Sequence, residues 1–128
     1  MNKNKMRFMV VLLLLIINVS VVEAKVTKSQ IKEYTRKTML NKYGWGNEEY
    51  NALIKIVNKE SSWNYKAVNK KSKACGLFQA LPCKKMRTFG KDYKINYKTQ
   101  IKWGLNYINN RYGSPIKAWE FWQSHHWY

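Results

Sequence analysis

A single carboxylate closes the most regular apolar run in the chain, and that junction constrains the fold more than any other feature. Leu53, Ile54, Ile56 and Val57 fall at helical spacing, with Tyr50 one turn earlier. Residues so spaced share one helical face, which must be buried against another element. Glu60 ends the run and Trp63 follows it. An acid pressed against such neighbours loses solvation, which disfavours its ionised form. The negative end of the helix dipole acts in the same direction. Glu60 is therefore placed to stay protonated near neutral pH, as a general acid must. Further on, Gly76-Leu77-Phe78-Gln79 sets a flexible Gly before two apolar residues and an amide. Such a segment can line a cleft and hold an amide or hydroxyl of a ligand.

Helix signals flank this junction on both sides. Thr27 and Gln30 form a capping box, and Ile31, Tyr34, Thr35, Thr38 and Met39 then recur at helical spacing. Gly44 and Gly46 stop this first helix near Tyr43. Asn47 is the expected cap of the second helix, with Glu48 and Glu49 suited to its positive end. That helix should reach Glu60 or slightly beyond. Residues 63–73 are polar and lysine-rich, which predicts a loop, with a small β-hairpin through Tyr65 and Val68 as the alternative. Pro82 interrupts any helix there, Met86 and Phe89 are core candidates, and Gly90 marks a turn. Asn96 caps a third helix with the spine Ile101, Leu105 and Ile108, joined by Trp103, Tyr107 and Tyr112; Gly113 ends it. Ser114-Pro115 opens a last helix, whose apolar side is Ile116, Trp119, Phe121 and Trp122. The expected architecture is one mainly α domain.

The N-terminus reads as a cleaved secretory signal over residues 1–24. Lys3, Lys5 and Arg7 precede an unbroken apolar run at residues 8–17, and Val22-Glu23-Ala24 has small residues at the cleavage offsets. The run is short for a membrane span, which needs about 20 apolar residues. The whole chain carries a net charge of +17. Nearly all of it belongs to residues 25–128, where the only acids are Glu33, Glu48, Glu49, Glu60, Asp92 and Glu120. Such an excess implies an anionic partner or surface. For an exported chain, an anionic cell wall suits this better than nucleic acid, and no nucleic-acid motif is present. Cys75 and Cys83, in an exported context, are expected to pair and to fix the loop carrying Phe78 and Gln79. Two Cys with the adjacent His125 and His126 match no standard zinc-ligand spacing, so neither metal nor other cofactor is expected.

Glu60-Ser61 followed by Gly76-Leu77-Phe78-Gln79 resembles the paired motifs of soluble-type lytic transglycosylases, in the lysozyme-like superfamily. The likeness continues through Ala80-Leu81-Pro82, the stretch from Gln100 to Ile108, Arg111-Tyr112-Gly113-Ser114-Pro115 and the closing Trp127-Tyr128. In that last pattern it is nearest to small secreted Gram-positive domains. The resemblance implies a lysozyme-like fold and cleavage of the β-1,4 bond between N-acetylmuramic acid and N-acetylglucosamine. It also implies that Glu60 acts first as acid and then as base on the sugar's own 6-hydroxyl, giving a 1,6-anhydro end. One carboxylate then suffices, which suits a chain so poor in acids. Ser61 would position Glu60. Phe78, Gln79, Tyr107 and Trp119 would contact the glycan. Bland roles compete for several of these: a surface serine, a local loop bond for Gln79, core packing for Phe78 and Tyr107. Where the family has Ala-Tyr-Asn on the last helix, this chain reads Ala118-Trp119-Glu120, so the Asn contact is not carried over. A conventional hydrolase would have to recruit Asp92 or Glu120 as a second acid. The two rival readings are a lysozyme-type muramidase and a non-catalytic cationic wall-binding protein. A monomer is expected.

Overall fold

Four α-helices and one 3₁₀ helix supply the regular structure of residues 25–128, the part of the chain described in the computed structural model. The expected secretory signal lies outside the described residues. Helix α1 (Lys28–Tyr43) starts at the capping box: Thr27 Oγ1 accepts from the Gln30 N–H (3.2 Å), and the Thr27 N–H donates to Gln30 Oε1 (2.9 Å). It stops at Gly44, whose φ of 67° lies in the left-handed region that glycine enters without penalty.

Helix α2 (Asn47–Ser61) carries the apolar run. Ala52, Leu53, Ile56 and Val57 are buried, and Ile54 and Tyr50 pack partly against the core. The expected cap is displaced by one residue. Gly46 occupies the cap position without a side-chain bond, and Asn47 instead accepts from Arg36 Nη2 at 2.9 Å, tying the start of α2 to α1. Glu49 also does more than complement its own helix. Its Oε2 accepts from the Ile116 N–H at 2.8 Å, so a carboxylate on α2 satisfies a free donor in the first turn of α4 (Pro115–His125). Helix α4 is otherwise opened by Ser114 and Pro115 as read from the sequence.

The segment after α2 is a loop without extended strands, and the expected pairing at Val68 is reduced to a single bridge. Cys75 makes isolated antiparallel bridges to Val68 on one side and Ala80 on the other. The lysine-rich segment between is folded by its asparagines. Asn64 Oδ1 accepts from the Lys66 N–H, and Asn69 Oδ1 accepts from the N–H groups of Lys71 and Ser72. The Cys75–Cys83 disulfide forms as expected and closes a loop with a sequence separation of 8. On the chain-entropy account it contributes roughly 2–3 kcal/mol. The 3₁₀ helix (Cys83–Phe89) follows Pro82 and buries Met86.

Helix α3 (Tyr97–Tyr112), capped by Asn96 and ended by Gly113, runs through the core with Ile101, Leu105 and Ile108 fully buried. Its key polar residue is Gln100, also fully buried. Gln100 Oε1 accepts from the Leu77 N–H (2.9 Å), and Nε2 donates to the carbonyls of Tyr65 and Tyr93 (both 2.9 Å). One amide on a rigid helix thereby holds three separate stretches of loop.

Candidate active site

The end of α2 projects Glu60 into a cleft of about 280 Å³. Phe78, Gln79, Ala80 and Leu81 form one wall; Trp103 and Tyr107 of α3, with Trp127 and Tyr128, form the rest, and Lys85 sits on its margin. Glu60 is the only acidic side chain among these lining residues. Burial pushes its carboxyl from the usual range up to about 7. A similar depression of about 310 Å³ beside the disulfide is lined by Lys66, Lys73 and Lys94 and holds no acid, so acid chemistry belongs to the first.

The backbone at the end of α2 is unusual. Ser62 (φ 51°) and Trp63 (φ 62°) both adopt left-handed conformations, each costing about 1 kcal/mol or more for a non-glycine residue. Burial of Trp63, only 2% exposed, offsets this cost. The chain turns sharply into the core directly after Glu60, which stays on the last turn of a rigid helix. The Ser61 hydroxyl does not reach Glu60. It donates to the carbonyl of buried Leu77 at 2.8 Å, joining the end of α2 to the segment that continues into the cleft wall at Phe78.

Gln79 lies on that wall with φ 51°. Its Nε2 donates to the carbonyls of Gly76 (3.0 Å) and Ala67 (3.3 Å), so both amide protons are used locally. Its Oε1 makes no protein hydrogen bond among the described residues and offers an acceptor. Phe78 is both core and wall: it is 2% exposed and still lines the cleft. Its ring lies against bare backbone of α3, where a Cβ on Gly104 would come within 2.3 Å of ring carbons. Gly104→Ala ordinarily stabilises a helix by about 0.5–1 kcal/mol. Here the sign should reverse, with a loss of about 2–3 kcal/mol from overpacking, readable as a lowered denaturation midpoint in urea.

Tyr107 lines the cleft, stacked on Trp103 (5.2 Å between centroids), and its hydroxyl accepts from Arg111 Nη1 at 2.8 Å. Trp119 is not among the lining residues. It stacks on Trp122 at 5.2 Å, under Lys55 of α2, because positions three apart on α4 share the face turned toward that helix. The structure thus brings together Glu60, Phe78, Gln79 and Tyr107, holds Ser61 just behind them, and leaves Trp119 outside. The other acids lie elsewhere: Asp92 accepts from Asn96 and Thr99 (both 2.8 Å), which holds its carboxyl below the usual range, and Glu120 is exposed on α4.

Trp103, Trp127 and Tyr128 are cleft residues that sequence reasoning did not assign. The closing Trp-Tyr pair was part of the motif likeness, which was the one available signal. Residues 30–124 match the family described as Transglycosylase SLT domain. No curated protein and no solved structure matches the chain.

Proposed function

Because the chain belongs to the transglycosylase SLT domain family, whose activity is lytic cleavage of peptidoglycan, we propose that Glu60 alone carries both proton transfers of that reaction. The observation that supports this most is the solitary, half-buried carboxyl in an aromatic-walled cleft, with its pKa lifted to about 7. Protonated, Glu60 donates to the leaving glycosidic oxygen between N-acetylmuramic acid and N-acetylglucosamine. The resulting carboxylate then takes the proton from the muramyl 6-hydroxyl. That oxygen closes on C1, and a 1,6-anhydro end leaves with no water consumed. Gln79 Oε1 accepts from an N-acetyl N–H or a hydroxyl of the glycan, and Tyr107 and Phe78 bound the sugar faces. Ser61 supports the geometry indirectly, through Leu77.

Mass spectrometry of products released from purified sacculi tests this. An anhydro end is one water lighter than a reducing end. Reducing ends alone would transfer the assignment to a muramidase using water. We further propose export by the N-terminal signal and retention on an anionic wall by the positive surface. Wall binding should then weaken steeply with salt, as the screening length shrinks from about 10 Å at 0.1 M to about 3 Å at 1 M. Salt-independent sedimentation with sacculi would contradict an electrostatic attachment.

A further inference from the structure

Trp127 and Tyr128 follow the last helix and return to the cleft. Tyr128 is partly buried as a residue, with its hydroxyl in the interior, donating to the Phe78 carbonyl at 2.7 Å. Its ring meets Tyr107 edge-on at 5.9 Å and Tyr112 at 6.4 Å. Trp127 packs edge-on against Phe121 at 4.9 Å, with the Arg111 guanidinium over its ring at 5.3 Å. Unlike Tyr128 it stays 51% exposed while lining the same cleft as Glu60. An exposed indole held by an aromatic ring and a cation is a rigid apolar plate facing the cleft that holds Glu60 and Gln79. That is the surface a pyranose face stacks on.

Resting on the reading of Glu60 above, the geometry points to Tyr128 as a positioning residue and Trp127 as a glycan platform. Tyr128 latches the Phe78 and Gln79 wall shut beside Glu60, and Trp127 stacks on a bound sugar ring. The latch does two things. The bond to the Phe78 carbonyl fixes the segment that places Gln79. The ring lines the same cleft as Glu60, near enough for that carboxylate's charge to act on the phenol, and so takes the place of water beside the carboxyl. Burial, and then the neighbouring Glu60 charge, push the Tyr128 phenol well above its ordinary value, so it remains a hydrogen-bond donor throughout the working pH range. The charged or titratable groups around this point are Glu60 itself, Lys85 on the cleft margin, Tyr107 and Arg111 of α3, Tyr112, and His125 of α4, whose ring lies 5.9 Å from that of Trp127. None adds a second acidic side chain.

Three variants test it on soluble glycan strands. Tyr128→Phe keeps the ring and loses the bond. Its kcat should fall about tenfold, the cost of one buried hydrogen bond left unpaired, with the alkaline limb of the pH profile unmoved. Tyr128→Ala exposes Glu60. The alkaline limb should then move at least about one pH unit toward acid, as desolvation of the carboxyl is relieved. A merely structural tyrosine would lower the melting temperature and leave that limb in place. Trp127→Ala should raise KM about tenfold with kcat within about twofold, the pattern of lost uniform binding. An unshifted limb in a folded Tyr128→Ala protein overturns the latch. Should that variant not fold, an unchanged kcat in Tyr128→Phe overturns it instead. An unchanged KM in Trp127→Ala overturns the platform. Glu60→Gln run alongside separates the two levels: a dead Glu60→Gln with wild-type latch variants defeats only this inference, and an active one defeats the reading beneath it.

Discussion

Glu60→Gln is expected to reduce lysis of purified sacculi by at least about 10³-fold, within the range that a positioned general acid–base supplies. Gln matches Glu in shape and can donate a hydrogen bond, but it cannot release a proton. The loss should be complete in practice because nothing can substitute. Asp92 is held by Asn96 and Thr99 at the start of α3, Glu49 caps α4, and Glu120 faces solvent. The pH profile of the wild type follows from the same carboxyl. The acid form is the active form, so kcat/KM should fall as pH rises through about 7. Stability should move in the same direction as activity. The folded state holds the Glu60 proton more tightly than the unfolded state does. Stability from this group is therefore full below the unfolded value near 4.5 and is lost as pH rises through about 7. Gln carries no such loss. Glu60→Gln should be more stable than the wild type at pH 8 by roughly 1–2 kcal/mol, after discounting for partial exposure of the carboxyl, and equal to it at pH 4. Calorimetry at the two pH values checks the pair of statements. Retained lysis, or a stability difference that ignores pH, would show that Glu60 is an ordinary surface acid.

What the sequence made legible follows the reach of the interactions involved. Caps and helix ends depend on residues three or four apart. Thr27 with Gln30, Gly44, Asn96, Ser114 with Pro115 and Gly113 could all be read directly, and each stands where expected. Asn47 failed by one position because Gly46 before it already had the extended backbone a cap needs, which freed the Asn side chain for Arg36. The cleft is different in kind. Its polar ties span 16 residues from Ser61 to Leu77 and 50 from Tyr128 to Phe78, and the tie of α2 to α4 spans 67 from Ile116 to Glu49. No local pattern encodes such partners. Gln79 illustrates the limit. Its amide suggested a ligand contact or a loop bond as alternatives, and the structure shows the loop bond on Nε2 with Oε1 left over. Trp119 was placed by analogy with another motif's position, but helix α4 turns that position toward Lys55.

The residue most invisible from local pattern should also be the most costly to remove. Gln100→Leu keeps the volume and apolar stem while deleting three hydrogen bonds, with separations of 23, 35 and 7 residues. The Leu77 N–H would be left buried without a partner, and the Tyr65 and Tyr93 carbonyls would lose theirs. An unpaired buried group costs about 1–3 kcal/mol, so the sum should reach about 3–5 kcal/mol even with some relaxation. For a domain of this size that lowers the melting temperature by roughly 15–30 °C. Space does not rescue the site. Gly76, at φ 79°, already approaches so closely that a Cβ there would sit 2.6 Å from Gln100 Oε1. Catalysis should fail before global unfolding, because Leu77 is held from both directions: its N–H by Gln100 and its carbonyl by Ser61 at the end of the helix bearing Glu60. Releasing one side lets the wall carrying Phe78 and Gln79 drift from the acid. Gln100→Glu sharpens the test, since an ionised carboxylate can still accept from Leu77 but cannot donate to either carbonyl. Buried, that new acid would have a raised pKa, so the variant should recover stability as pH falls and the carboxyl regains a proton to donate. A melting temperature within about 5 °C of wild type for Gln100→Leu would mean that the loops are held by packing alone, since the three bonds would then contribute no more than about 1 kcal/mol in all.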